Sequence, residues 1–377
     1  MIDGFGRLAL AVALPAFLAT AALCALVRRY ALTRSLLDVP NERSSHSVPT
    51  PTGGGIAITL VVVAGIAVLA STGVVDDRTA IALVGGGALV AAVGWLDDRR
   101  GLSASARLLV HTAAAAWMVG WLRGLPELSV GAGAVHMGIA GALLAVLGAV
   151  WSTNLYNFMD GIDGLAAAEG VVVGLAGALL LAPREPALAA VALLLSAASA
   201  GFLVWNWRPA RLFMGDVGSG FLGLAFAGLA VASENAHALP ALLWLLLLGP
   251  FFVDATVTLL RRIARGERWV AAHRAHAYQR AVQAGWSHRR VTSVMIGLSA
   301  ALGLVALVVS RDPELLGPAL ATGAAALGAL YLVVERWNPM QPMGDAAERS
   351  SQRPSAERAP VQQRPGSVSA ERSHHQG

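Results

Sequence analysis

The chain has no lysine; all 28 of its basic residues are arginine. It has one cysteine, Cys24, so no intramolecular disulfide can form and the redox compartment leaves no mark on the sequence. Charged residues are also scarce, at 14% of 377 residues, where a soluble domain carries roughly 25%. That is too little charge to cover a surface facing water, and with 56% hydrophobic residues and a mean hydropathy of +0.61 it excludes a soluble enzyme, a disordered protein and a fibrous repeat. Period-two alternation of polar and apolar residues is missing, which argues against a membrane β-barrel. The first apolar run lacks the basic flank and small-residue cleavage site of a signal peptide, so it reads as a retained span.

What the sequence does have is apolar runs long enough to cross a hydrocarbon core of about 30 Å. They fall near 8–27, 55–72, 79–96, 108–123, 135–152, 165–182, 187–205, 218–233, 238–259, 291–310 and 315–334. A segment in lipid must satisfy its own backbone hydrogen bonds, so the runs are expected to be helices. The expected fold class is an all-α polytopic integral membrane protein with about eleven transmembrane helices. A membrane domain would cover 1–337. From 338 to 377 the composition turns to Arg, Gln, Ser, Pro and Glu, as in a disordered cytoplasmic tail.

Seventeen arginines lie in the loops after spans one, three, five, seven and nine, against five on the opposite side. By the positive-inside rule the N-terminus faces out, and those loops and the tail face the cytoplasm. The same loops hold Asp38, Asp97, Asp98, Asp160, Asp163 and Asp216, with Asp254 inside span nine near that side. Carboxylates at span ends are costly, up to about 2.5–3.5 kcal/mol each at mid-bilayer, and call for a partner or a function.

Five constellations result. Residues 37–55 carry Asn41, Arg43 and His46 ahead of Gly53, Gly54 and Gly55, which reads either as a flexible loop or as a phosphate-facing one. Asp97 and Asp98 end span three beside Arg99 and Arg100; they are either paired at the membrane edge or serve a divalent metal or as a general base. Asn154, Asn157, Asp160 and Asp163 recur at every third residue, with Gly161 and Gly164 directly after the two aspartates, a polar stripe with no stabilising purpose of its own. Asp216, between Gly215 and Gly218, could be a helix N-cap or a ligand. The fifth, loop 261–290, holds His273, Arg274, His276 and Tyr278, and its simplest reading is an interfacial helix on anionic lipid. All five share one membrane face, as a site joining a soluble anionic donor to a lipid-borne acceptor would require.

At these residues the chain resembles the bacterial polyprenyl-phosphate N-acetylhexosamine-1-phosphate transferases of glycosyltransferase family 4, the superfamily that includes phospho-N-acetylmuramoyl-pentapeptide transferase. The matching residues are Asp38, Pro40, Asn41, Arg43 and His46; Asp97 and Asp98; the run from Asn157 to Leu165; and Asn206 with Phe213, Met214, Gly215 and Asp216. The resemblance implies transfer of N-acetylhexosamine 1-phosphate from a UDP-sugar to undecaprenyl phosphate in the bacterial cytoplasmic membrane, with release of UMP. O-antigen or another envelope polysaccharide would start there.

The resemblance also implies magnesium, with manganese as the alternative, at Asp216 and Asp98, and Asp97 as base for the lipid phosphate. Asp160, Asp163 and Phe213 would surround the uridine, and His276 joins the catalytic group from a loop expected to touch the sugar. Asn157, Gly161, Asn206, Arg43 and His46 would support nucleotide and metal. The chain departs from the family pattern at Arg107, where lysine is frequent, and at His111, where glutamine is commoner. His273-Arg274-Ala275-His276 replaces the clustered histidines of the peptidoglycan enzyme, which argues against a muramoyl-pentapeptide donor. Expected partners are the lipid bilayer and these two substrates, with a homodimer left open and no nucleic acid. The competing readings are a proton-coupled membrane transporter, for which no inverted repeat is evident, and an arginine-rich scaffold, which leaves the aspartates unexplained.

Overall fold

The computed structural model describes residues 6, 9–40, 48–268 and 273–341. Asn41, Arg43 and His46 fall outside the described residues, as does the expected tail from residue 342 onward. The chain is a multi-pass helical membrane protein. Its α-helices are α1 (Leu14–Thr33), α2 (Gly55–Ser71), α3 (Asp77–Arg100), α4 (Ala104–Trp121), α5 (Gly138–Phe158), α6 (Leu165–Leu181), α7 (Pro186–Asn206), α8 (Asp216–Asn235), α9 (Ala241–Leu247), α10 (Gly249–Ala264), α11 (Ala277–Gln283), α12 (His288–Val309) and α13 (Leu316–Trp337).

Each apolar run contains a helix. By length and composition seven helices among the described residues can cross a bilayer, or eight if α9 and α10, bent by 85° at their junction, are taken as one span. The apolar α2 and α6 have 17 residues each, a little short of the roughly 20 that a straight crossing needs. Among the described residues strand is confined to two short antiparallel pairs: β1 (Leu37–Asp38) with β2 (Thr50–Pro51), and the hairpin β3 (Glu127–Val130) with β4 (Gly133–His136). The hairpin delays α5, so the run expected from residue 135 becomes helical at Gly138 and continues to Phe158.

The helix ends follow local chemistry. Asp76 caps α3, accepting from the Arg78 and Thr79 N–H groups at 3.0 Å each. Gly101, in the left-handed region, ends the same helix, and Ser103 caps α4 by accepting from the Ala106 N–H. The central helices α7 and α8 are buried on nearly all sides, whereas α1, α12 and α13 expose most of their surface. Ile139 and Leu109, 83% and 71% exposed, are lipid-facing in such a chain. Small residues let α8 sit at the centre: a Cβ on Gly223 would lie 2.4 Å from the Ser152 carbonyl of α5. Close backbone contact of this kind is how helices pack in lipid. The compact body includes Asn338 and the buried Met340, slightly past residue 337.

Candidate active site

At one end of the bundle the C-terminal ends of α3 and α5 meet the N-terminal ends of α2, α4 and α8. Two close glycine contacts permit this. A Cβ on Gly94 would lie 2.6 Å from the Asp216 backbone, and one on Gly55 would lie 2.4 Å from Gly218. The segment before α8 is also tied to the chain entering α2. The Phe213 N–H donates to the Pro51 carbonyl, the Gly54 N–H to the Phe213 carbonyl and the Gly55 N–H to the Met214 carbonyl, all at 2.8 Å.

Asp97, Asp98 and Asp216 are thereby neighbours. Arg107, in the first turns of α4, places Nη1 2.6 Å from Asp97 Oδ2 and 3.4 Å from Asp216 Oδ2. Asp97 Oδ1 accepts from the Leu102 N–H. Asn157 Nδ2 donates to Asp216 Oδ1 at 2.7 Å and to Ser219 Oγ at 3.1 Å. Asp98 Oδ1 accepts the Asp216 N–H at 3.1 Å, so Asp216 begins α8 while an acidic side chain from α3 takes up one of that helix's free N–H groups.

Asp160, in the turn after α5, brings a fourth carboxylate. Its side chain has no hydrogen bond or ion pair among the described residues. Burial, then the negative charges of Asp216 and Asp98, push its carboxyl well above the usual range. Asp163, three residues on, is held differently. Its Oδ2 accepts the Ala210 N–H at 3.2 Å, its Oδ1 lies 3.3 Å from His288 Nδ1, and its carbonyl accepts from Thr292 Oγ1 at 3.0 Å. Burial would raise it, but the hydrogen bonds from His288 and Ala210 and the nearby His288 and Arg208 charges outweigh burial and hold it below the usual carboxylate range. Asp163 thus ties the turn to α12, while Asp160 stays free beside Asp216.

The remaining candidates sit around this core. Asn206, buried, accepts the Gly164 N–H at 2.9 Å and donates to the Leu212 carbonyl at 3.0 Å, joining the start of α6 to the segment before α8. Phe213 and Gly161 are half-buried. His276, buried at the start of α11, stacks on Phe158 at 5.9 Å and lies 4.9 Å from the His273 ring. Its Nδ1 is 3.5 Å from Asp254 Oδ1. Burial, then the His276 and Arg262 charges, push His273 down to about 3, so it is a neutral imidazole.

Sequence reading treated Arg107 only as a departure from lysine and gave Asp254, Tyr278 and His288 no role. Arg107 was the most legible of these, since it opens the helix that follows the Asp97–Asp98 pair. Asp254 lies in the broken span, a geometry that transporters use for substrate. Here its carboxylate accepts the Ala277 and Tyr278 N–H groups at 2.7 and 3.0 Å, so it holds α11 in place.

No three His, Cys, Asp or Glu side chains among the described residues form a closed metal cage. The donors present still suit a hard divalent cation. Magnesium is commonly held by one or two carboxylates, with water and substrate phosphates completing the shell, and Asp98 and Asp216 stand side by side in a pocket whose Asp160 has no donor.

A model of glycosyl transferase family 4 matches residues 80–234, the stretch that carries Asp97, Asp98, Asn157, Asp160, Asp163, Asn206 and Asp216. The chain is 31% identical over 323 residues to a decaprenyl-phosphate N-acetylglucosaminephosphotransferase of Mycobacterium tuberculosis, covering 71% of this chain and 74% of that protein. It is 29% identical over 289 residues to a probable undecaprenyl-phosphate N-acetylglucosaminyl 1-phosphate transferase of Bacillus subtilis, covering 75% and 80%. A phospho-N-acetylmuramoyl-pentapeptide-transferase of Synechococcus is 35% identical over 217 residues, 54% of this chain and 61% of that protein.

Proposed function

Because the chain belongs to glycosyl transferase family 4, we propose that it transfers an N-acetylhexosamine 1-phosphate from a UDP-sugar to undecaprenyl phosphate. The N-terminus would face out, with the acidic pocket at the cytoplasmic face of a bacterial inner membrane, and the product would start O-antigen or another envelope polysaccharide. The observation that carries this reading is the convergence of Asp97, Asp98, Asp160 and Asp216 from three separate parts of the chain around Arg107 and Asn157.

In the proposed reaction an oxygen of the lipid phosphate attacks the β-phosphorus of the UDP-sugar. A new P–O bond forms, the bond from that phosphorus to the α–β bridging oxygen breaks, and UMP leaves with the electron pair. Asp97, held by Arg107 and the Leu102 N–H, would take the proton if the acceptor arrives as a monoanion. Asn157 fixes the Asp216 carboxylate. Magnesium held by Asp98 and Asp216 would neutralise the diphosphate. One phosphoanhydride replaces another, so catalysis is chiefly positioning and charge neutralisation. His273, His276 and the turn of Asp160 would face nucleotide and sugar.

The test is UMP release and lipid-linked sugar formation by the purified protein with undecaprenyl phosphate, Mg²⁺ and UDP-GlcNAc, UDP-GalNAc or a 6-deoxy analogue. Asp97→Asn and Asp216→Asn are each expected to lower turnover by about three orders of magnitude or more while inserting normally. Full activity in both variants would overturn the assignment.

A further inference from the structure

Helix α11, whose first N–H groups are held by Asp254, is gripped on two further sides. Tyr278 and Arg280, two residues apart, project about 200° from each other around the helix. On one side the Tyr278 hydroxyl donates to the Phe158 carbonyl at 2.9 Å, and a Cβ on Gly161 would fall 2.1 Å from that hydroxyl. The turn Phe158–Gly161, which bears Asp160, therefore rests on α11. On the other side Arg280, 2% exposed, meets the carboxylate of Glu335 in the last turns of α13. It also donates to the Asn338 carbonyl at 2.9 Å and to the Ala275 carbonyl at 3.0 Å. Asn338 Nδ2 donates back to the Arg280 carbonyl at 3.0 Å, and the Tyr331 ring lies 5.0 Å from the guanidinium.

Glu335 is also held by Arg261 of α10 through paired bonds of 2.6 and 2.7 Å, and by the Met340 N–H at 3.2 Å. A buried guanidinium needs a carboxylate beside it, because an unpaired buried charge is strongly destabilising. Without Glu335, Arg280 would turn toward water and draw α11 with it.

We propose that Glu335 is a positioning residue for the donor half of the acidic pocket. Through Arg280 it sets the position of α11, and through the Tyr278 hydroxyl it sets the turn that carries Asp160. The inference rests on the transferase reading, in which Asp160 and the histidine loop face the donor while Asp97 faces the acceptor phosphate. Loss of Glu335 then weakens donor use and leaves acceptor use alone.

The experiment measures KM for donor and acceptor separately, with kcat and melting temperature, in the full-length protein in detergent with Mg²⁺. Glu335→Gln is expected to raise donor KM about tenfold or more while kcat falls less than about threefold and acceptor KM stays within about twofold. Glu335→Asp, which keeps the charge, should recover most of the loss. Arg261→Gln removes a partner of Glu335 without touching α11 and should leave donor KM within about twofold of wild type. Tyr278→Phe breaks the same path at its other end. It should reproduce the donor defect, and the double variant should be no worse than either single, the signature of one shared path.

An unchanged donor KM in Glu335→Gln, or donor and acceptor KM rising together, overturns the proposal. If Glu335→Gln does not fold, Tyr278→Phe decides alone, and an unchanged donor KM there overturns it. Wild-type protein releasing no UMP from any of the UDP-sugars would instead sink the transferase reading itself.

Discussion

The acidic pocket and the cluster around Glu335 are both built from helix ends at the same end of the bundle, yet they treat their carboxylates in opposite ways. Both oxygens of Glu335 are taken, one by Arg261 and the Met340 N–H, the other by Arg261 and Arg280. In the pocket Arg107 contacts Asp97 and Asp216, Asp98 accepts the Asp216 N–H, and Asp160 has no donor among the described residues. Folding alone favours the first arrangement, since unpaired buried carboxylates repel and lose hydration. The second leaves carboxylate oxygens open, and under the proposed function a cation with a diphosphate would complete them. Asp160 and Asp163 repeat the contrast three residues apart, one free beside Asp216 and the other bound to His288 and Ala210.

The sharpest way to break the contrast is to remove the pocket's own cation. Arg107→Ala frees Asp97 and leaves the carboxylates unbalanced, so turnover should fall about a hundred- to a thousandfold, the usual loss for one electrostatic group at a reacting centre. Arg107→Lys keeps the charge but has a single ammonium to serve Asp97 and Asp216, and should retain activity within about tenfold of wild type. UMP release under saturating donor measures both. An Arg107→Ala enzyme as fast as wild type would mean that the pocket's charge is balanced from elsewhere.

The next effect concerns pH. Asp160 has a raised carboxyl in the folded, metal-free protein, so between its ordinary value of 3.8 and the folded value the native state binds more protons than the unfolded one. Its contribution to stability is therefore fully present below the ordinary value and is lost as pH rises toward the folded one. One proton sets a ceiling of about 1.4 kcal/mol per pH unit, which partial exposure lowers. In EDTA, Asp160→Asn should flatten the fall of melting temperature between pH 4 and pH 7. An unchanged slope would show that Asp160 is not desolvated beside Asp216 and Asp98. Asp163, whose value is lowered, acts in the opposite sense: its contribution is present above the ordinary value and fades as pH falls through the folded one.

Much of the pocket is legible in the sequence because its residues are costly where they stand. Paired aspartates ending an apolar run, or a repeat of Asn and Asp entering the next, are costly enough to call for a partner or a ligand. The helical runs are legible from their apolar length. Other features have no local signal. The Arg280–Glu335 pair joins residues 55 apart in sequence, and His288 meets Asp163 across 125, so only packing brings them together. The β3–β4 hairpin is too short for its alternation to stand out beside an apolar run, and it displaces the start of α5 from the expected position. Pro250 marks the region of the α9–α10 bend, but the chain alone does not reveal an 85° turn.

The smallest effect is expected at a third carboxylate, which belongs to neither arrangement. Glu169 of α6 is 1% exposed. Its Oε2 accepts from Ser299 Oγ of α12 at 2.6 Å, while its Oε1 has no partner. It is half-satisfied, like the pocket, but it lies inside the helix pair, where no substrate could complete it. Ser299→Ala removes its one bond and should destabilise the protein by about 1–3 kcal/mol, the usual cost of stranding a buried polar group. Glu169→Met combined with Ser299→Ala removes both partners and should recover most of that loss. Melting temperature in detergent reads the difference, and donor and acceptor KM should not move in either variant. A donor KM that rose with Ser299→Ala would join α6 and α12 to the pocket and erase the distinction between carboxylates left open for a ligand and carboxylates merely left short of partners by packing.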